Sequence, residues 1–320
     1  MCLDCGPLIK AIDAYIQKAD DNLSDELREQ GYAKAKRTVE YIQYIEESVA
    51  EALLEETEYI LTEAEKASDL ESFSQDVWYK VKLNDVINTT LALVFINSFS
   101  KFMPEFVSHH IKQTDEALEL MQISARTTSW IKSWSEELAE IMKLNSHKEI
   151  EHILEKGLEN GSSIAEFTQE ILNSGIRDEH YKARRVAITE VLGAHSVAQQ
   201  EAFMQSPAVL EKMWKHTGRH KNEPRQNHVE MDGARVPVDE PFSLVGADGG
   251  MYEPMCPRDT NLPSGERINC HCISLPVVSE EILGLPLEER QMLQQKAIDE
   301  MDDEWEKELD AANRAKAGIE

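Results

Sequence analysis

Basic residues are scarce in this chain. Lys plus Arg number 33 against 60 Asp plus Glu, a formal net charge of -27 with an isoelectric point near 4.7. A basic face is the footprint of phosphate gripping, so sequence-specific nucleic-acid binding is not expected. A polybasic membrane-surface role is excluded on the same ground. Aromatics are only 7%, yet hydrophobic residues reach 41% of 320 residues, enough for a sizeable core and for two or three domains, or one with a large appendage. Long apolar runs are missing. The longest uncharged stretch, Val86 to Ser100, is interrupted by Asn88, Thr89, Thr90 and Asn97. It falls short of the roughly 18–20 apolar residues of a spanning helix and reads as a buried helix, so no membrane is expected as a partner. No basic segment followed by an apolar one opens the chain, and no secretory signal is expected. Cysteines are five, an odd number: Cys2, Cys5, Cys256, Cys270 and Cys272. That is no disulfide framework, and it suits a reducing cytoplasm with thiols free or bound to metal.

Proline is nearly absent from residues 1–205, where only Pro7 and Pro104 occur, whereas residues 206–278 hold eight prolines and six of the fourteen glycines. Proline removes a backbone donor and stops helices, so the architecture changes near Ser206. The charge is -17 over residues 1–205, -2 over 206–278 and -8 over 279–320. The first part reads as helices. Val39, Ile42, Ile45, Val49, Leu53 and Ile60 keep the i, i+3, i+4, i+7 spacing, as do Val86, Ile87, Leu91, Val94, Phe95, Phe99 and Phe102. Pro104 is expected to separate that helix from the next. Ile123, Trp130, Trp134, Leu138 and Ile141 continue the pattern, with shorter helices at 147–158, 163–174 and 178–203 and turns at Gly157–Ser163 and Asn173–Gly175. The second part reads as short strands and loops. Met213–His216, Ala234–Val238 and Cys272–Val278 alternate or are β-branched, Asp232-Gly233 marks a turn, and Gly246–Gly250 reads as a flexible loop. From Pro286 onward one acidic helix is expected, with Leu293, Ile298, Met301, Trp305 and Leu309 as its apolar stripe. The fold class is therefore mainly α, with an elongated helical N-terminal part (1–205), a small α+β, strand- and loop-rich module (206–278) and an acidic C-terminal helix (279–320).

Chemistry concentrates between Trp214 and Cys272, which holds His216, His220, His228 and His271 together with Cys256, Cys270 and Cys272. Imidazole and thiolate are the preferred ligands of Zn2+. In an extended Cys-x-Cys segment both thiols point to one side, because strand side chains alternate with period two, and His271 then faces away. The expected zinc ligands are His228, Cys256, Cys270 and Cys272, in a closed structural site. His220 or Asp232 is an alternative to Cys256. Reduced cysteines packed as small hydrophobes are the competing reading, and Cys2-x-x-Cys5 could supply further thiolates. A Cys270 nucleophile with His228 as base is also conceivable, although no acid or amide is clearly placed to orient that His. No phosphate-binding Gly-Lys-Ser/Thr loop, Gly-x-Gly-x-x-Gly, His-Glu-x-x-His or Gly-x-Ser-x-Gly is present, so no enzyme is expected.

An ordered string of short motifs runs from about Arg184 to Val278. It comprises Ala187-Ile-Thr-Glu190, Lys212-Met-Trp214-Lys-His-Thr217, Arg225-Gln-Asn-His228, Met231-Asp-Gly233, Val236, Asp239-Glu-Pro-Phe242, Pro254 to Asp259 and Asn269-Cys-His-Cys272. In this order it resembles the minor head, or head morphogenesis, family of phage proteins typified by protein F of bacteriophage Mu. The chain departs from the family pattern at Ile188 and His271, where Arg is usual, in the Thr217-Gly218-Arg219 stretch, where an acid is usual, and at Cys256, which is not a family position. The resemblance implies a minor structural protein of a tailed double-stranded DNA phage. Such a protein is assembled in the bacterial host cytoplasm, sits inside the head of the virion, and docks on the portal and on the major capsid or scaffold protein. It would act in head morphogenesis and in DNA packaging or ejection. Some relatives carry a toxin domain after the motif. Only 42 residues follow Val278 here, fewer than a typical domain needs, so no toxin activity is expected. A metal-dependent or cysteine hydrolase, a phage-borne nuclease or toxin, is the alternative.

Overall fold

The computed structural model describes residues 22–84, 86–173, 179–217 and 224–317. It is mainly α-helical, with small antiparallel strands confined to the C-terminal region. The chain forms two compact units. One takes Gln43–Lys101 and Thr128–Ile188, the other Met1–Ile42, Phe102–Thr127 and Thr189–Glu320.

The helices that build the first unit are α1 (Ala35–Glu65), α2 (Leu70–Ser72), α3 (Trp78–Lys82), α4 (Val86–Thr114), α5 (Ala125–Asn160), α6 (Ile164–Asn173) and α7 (Glu179–Gln205), some of which also extend into the second. A π-helical turn, Phe73–Val77, joins α2 to α3. The α1 stripe from Val39 to Ile60 is buried at each expected position. Ile60, Leu70, Phe73, Trp78, Ile150, Leu154 and Phe167 share one core. Asp69 caps α2 by accepting from Ser72 N at 2.8 Å. Ser163 and Glu166 form a reciprocal capping box at the start of α6, with bonds of 2.7 and 3.2 Å.

Two helix boundaries differ from the sequence expectation. Pro104 does not break a helix, because α4 runs through it. A proline in a helix interior costs about 3 kcal/mol. The fully buried Phe99, Phe102, Met103, Phe106 and Val107 around it each contribute roughly 1.5–3 kcal/mol of burial, and they outweigh that cost. With this burial α4 reads as a core helix, although the stretch from Leu70 to Thr114 has the length and apolarity of a membrane span. Likewise no break precedes residue 147: α5 continues to Asn160, since no Pro or Gly interrupts residues 125–156. Gly157 lies inside the helix and the turn falls at Gly161, whose φ is +68°.

The strand region belongs to the second unit. Strands β1 (Val209–Lys215), β2 (Arg235–Pro237) and β5 (Ile273–Val278) form an antiparallel sheet in the order β2-β1-β5. Lys212 sits opposite Val236 on one side, and Trp214 opposite Ser274 on the other. Helix α8 (Gln226–Glu230) precedes β2. Between them lies the Asp232-Gly233 turn, where Gly233 adopts φ +86°. The Gly246–Gly250 segment is no flexible loop. It is the tip of a hairpin joining β3 (Leu244–Val245) to β4 (Met251–Tyr252), closed by Gly246 N to Gly250 O at 2.8 Å and by Asp248 accepting from Tyr252 OH at 2.6 Å. A Cβ on Gly250 would lie 2.8 Å from the Tyr252 hydroxyl, so a side chain there would displace the ring that folds over the tip.

After α9 (Ser264–Arg267) and β5 come α10 (Glu280–Leu283) and α11 (Leu287–Ala317), the expected acidic helix. Its apolar stripe is shorter than expected. Ile298 and Met301 are buried, whereas Leu293 and Leu309 are exposed. Polar ties complete its anchorage: Gln294 donates to the Glu119 carbonyl at 3.0 Å, and Asp302 accepts from Ala125 N at 2.7 Å. Glu201 of α7 accepts from Ser124 N and Thr127 Oγ1 at 2.8 and 2.7 Å. Carboxylates from two elements thus cover the positive N-terminal end of α5.

Candidate metal centre

Three segments converge beneath Trp214. Helix α8 presents His228, the approach to β5 presents Cys270 and Cys272, and the residue after β1 is His216. Trp214 is fully buried, packs edge-on against both His228 (ring centroids 5.6 Å apart) and Phe242 (5.3 Å), and shares a core with Cys270 and Cys272. The period-two expectation holds for the Cys-x-Cys segment. Both sulfurs lie on the same ring nitrogen, His228 Nδ1, at 3.5 Å from Cys270 and 3.7 Å from Cys272. His271 turns away, its Nδ1 at 2.9 Å from Gln30 Oε1. Among the described residues, His228, Cys270 and Cys272 are the group whose ligand atoms lie within 4.8 Å of one another.

Cys256 is placed apart from that group. It is buried beside Lys212 and Asp259, and burial, reinforced by the Asp259 charge, pushes its thiol up. The Asp232 carboxylate is engaged by Lys215 at 3.1 Å and by the His216 backbone N–H at 2.8 Å. His220, Cys2 and Cys5 lie outside the described residues. His216 Nδ1 stands 3.7 Å from the Cys272 sulfur, on the half-buried rim of the cluster.

Glu266 orients His228, a role the sequence reading had left without a residue. Its Oε2 is 2.8 Å from His228 Nε2, and both side chains are buried. The carboxylate also accepts from Ala247 N at 2.8 Å and Asn227 Nδ2 at 3.1 Å. Burial opposes its ionisation, but these bonds hold it below the usual carboxylate range. For His228, burial pulls down while the Cys270 bond and the Glu266 carboxylate raise the net value. The two thiols are hydrogen-bonded to each other. The Cys272 hydrogen bond, with His228 and Arg258 behind it, lowers Cys270 well below the ordinary thiol value. The same bond and burial raise Cys272. The Trp214 indole N–H is buried without a well-formed hydrogen bond, and the Cys272 sulfur, whose ionisation it eases, is the acceptor it approaches.

Two arginines tie this centre to α7. The buried Arg258 guanidinium donates to the carbonyls of Cys270 and Cys272 (2.8 Å each), to Leu192 O (3.0 Å) and to Ser196 Oγ (2.5 Å). Arg267 pairs with Glu190, the acid of the opening motif, at 3.2 Å. Motifs scattered along some 85 residues of chain are therefore in contact. Lys212 is buried too. It donates to Met255 O at 2.8 Å and Gln200 Oε1 at 3.2 Å, and burial pushes it down to about 8.

The family model for the Phage Mu protein F like protein matches residues 148–275, which include this centre. The uncharacterized protein YqbB of Bacillus subtilis (strain 168) is 34% identical over 307 residues, covering 92% of this chain and 98% of YqbB. A second relative, the NAD(+)--arginine ADP-ribosyltransferase EFV of Enterococcus faecalis (strain ATCC 700802 / V583), is 31% identical over 159 residues, 47% of this chain but 29% of that protein. No solved structure matches. A full-length relative, a family model spanning the clustered motifs, and the contacts among those motifs lead to one conclusion: this chain belongs to the phage Mu F-like family of phage head morphogenesis proteins.

Proposed function

We propose that the protein is a minor component of the head of a tailed double-stranded DNA phage, docked on the portal and on the capsid or scaffold, and acting during assembly or in DNA packaging or ejection. The observation that carries this reading is the use of the motif residues. Glu190 and Arg258 of the motifs, with neighbouring Glu266 and Arg267, are spent on one another, on backbone carbonyls and on His228, within the module and the α7 segment it packs on. Such residues build a rigid body rather than a substrate pocket. Division of labour follows the sequence: the helical part, 1–205, carries the docking surface, and 279–320 is an acidic appendage. Exposed Tyr44, Tyr79, Leu83, Val86 and Leu93 give the helical part apolar surface for such contacts.

One arrangement favours a second reading. Cys270, His228 and Glu266 stand in the order nucleophile, base, orienting acid, as a cysteine hydrolase requires. The cysteine is sealed under Trp214 and Phe242, however, and a second thiol occupies the same face of the imidazole. We therefore assign no hydrolase activity. The Enterococcus relative is named as an ADP-ribosyltransferase, but the match leaves most of that protein uncovered. We take the shared segment as a common module and give this chain no transferase role.

The test is quantitative proteomics of purified procapsids and virions. The protein is expected with the portal, at far below the copy number of the major capsid protein. Absence from both particles despite normal cellular expression would overturn the reading. A peptidase or nuclease activity abolished by Cys270→Ala in folded protein would favour the hydrolase instead.

A further inference from the structure

We infer that the module is clasped by a zinc ion held by His216, His228, Cys270 and Cys272, with Glu266 orienting His228 and with Cys256 taking no part. Distances carry the argument first. Bonds of about 2.3 Å to sulfur and about 2.0–2.1 Å to nitrogen, at a tetrahedral angle, put sulfur and nitrogen about 3.6 Å apart. His228 lies 3.5 Å from Cys270 and 3.7 Å from Cys272, within one tight group, and His216 stands outside that group at 3.7 Å from Cys272, so it has to swing in from the rim to complete the set.

A cation engages the cluster more fully than hydrogen bonds do. Glu266 Oε2 sits on Nε2, so a neutral His228 bonded to that carboxylate presents its Nδ1 lone pair to the sulfurs. That single lone pair faces two sulfurs. A thiol proton on it would bond one sulfur to the ring and leave the other to the Cys270–Cys272 hydrogen bond. A cation between the sulfurs satisfies both, and a thiolate at Cys272 gives the Trp214 indole N–H a stronger acceptor. The carboxylate on the far ring nitrogen is the arrangement that fixes the tautomer of zinc-bound histidines.

Placement agrees with a structural role. The four ligands come from the end of β1, from α8 and from the segment entering β5. One ion thus joins three pieces of a region rich in proline and loops, where a staple compensates for a small core. His216 lies on the half-buried rim and leaves the ion a way in. With His216 drawn in, two thiolates and two imidazoles close the tetrahedron, with no position left for a reacting water. The inference stands independently of docking on the portal.

The experiment uses the untagged full-length chain, purified without added metal. About one zinc per chain is expected by elemental analysis. X-ray absorption of the bound zinc should read two sulfurs and two nitrogens, which needs no variant to fold. Replacement by Co2+ should give a thiolate-to-metal charge-transfer band. Cys270→Ser and Cys272→Ser should each abolish that band, and Cys256→Ser should leave it unchanged. Glu266→Gln should weaken zinc affinity roughly 10–100-fold, and His216→Ala should weaken it as well. Less than about 0.2 zinc per chain, both as purified and after dialysis against Zn2+, overturns the site. So does a Cys270–Cys272 disulfide in the metal-free protein as purified. Unchanged affinity in His216→Ala, or loss in Cys256→Ser, overturns this ligand set.

Discussion

Arg258 shows how much one side chain does here. Its φ of +67° lies in the left-handed region, which a long side chain seldom adopts and which costs on the order of 1–3 kcal/mol. The four acceptors around its guanidinium hold it there. Lysine cannot replace it, since a point charge lacks the planar fork that reaches several carbonyls at once. Arg258→Met should strand the carbonyls of Cys270 and Cys272, each at about 1–3 kcal/mol, and leave Leu192 O with Ser196 Oγ at 3.3 Å. A loss of at least about 3 kcal/mol is expected, read as a lower denaturation midpoint in Trp fluorescence; a midpoint within about 1 kcal/mol of wild type would refute the role assigned to Arg258. Nothing in the sequence singled this residue out among 33 bases. Cys270, Cys272 and His228 were legible because thiols and imidazoles are few and strand period fixes which way a Cys-x-Cys faces. Glu266 was not, being one of 60 acids and lying 38 positions from its partner. Cys256 is the opposite case, placed apart from the group. A nearby cysteine looks like a ligand in sequence, but the fold buries it against Lys212 and Asp259 instead.

At the scale of elements, periodicity located the helices and proline density located the strands, because both signals are local. The boundaries that failed depend on non-local packing. Pro104 sits inside α4 because the aromatic residues beside it are buried. The Gly246–Gly250 tip is ordered because Asp248 and Tyr252 close it. In α11 the periodic stripe from Leu293 to Leu309 suggested five anchors, but of these Ile298 and Met301 are buried and Trp305 is half-buried. A paired substitution separates the two positions. Ile298 is fully buried, so Ile298→Ala should cost about 2–5 kcal/mol. Leu309 is 46% exposed, and Leu309→Ala should stay within about 0.5 kcal/mol. Equal effects in thermal unfolding would show that the helix is anchored along its whole length, or nowhere.

For the whole molecule, the decisive quantity is charge. The sum is -27, and the only stretch near neutrality is 206–278, with ten acids and eight bases. A hidden nucleic-acid face would have to be built there. Among the described residues most of its bases are engaged, Arg235 being exposed: Lys212, Arg258 and Arg267 are buried and donate inward. Lys215 is paired with Asp232, and Arg225 donates to the Ile268 carbonyl at 2.6 Å. Each phosphate contact needs a cation whose counterion is released, so a surface with few unspent cations, set in a strongly acidic chain, is repelled by duplex DNA rather than drawn to it. A head protein packed beside the genome gains from this, because it does not compete with packaging by sticking to the duplex. The expectation is therefore that purified protein neither retards nor cuts duplex DNA at about 50 mM salt, where phosphate contacts are strongest, with Mg2+ or Zn2+ present. Gel retardation and product analysis on the same samples measure both. Retardation that weakens steeply as salt rises would reveal a cationic face and contradict the charge argument, while cleavage abolished by Cys270→Ala would return the centre beneath Trp214 to catalysis.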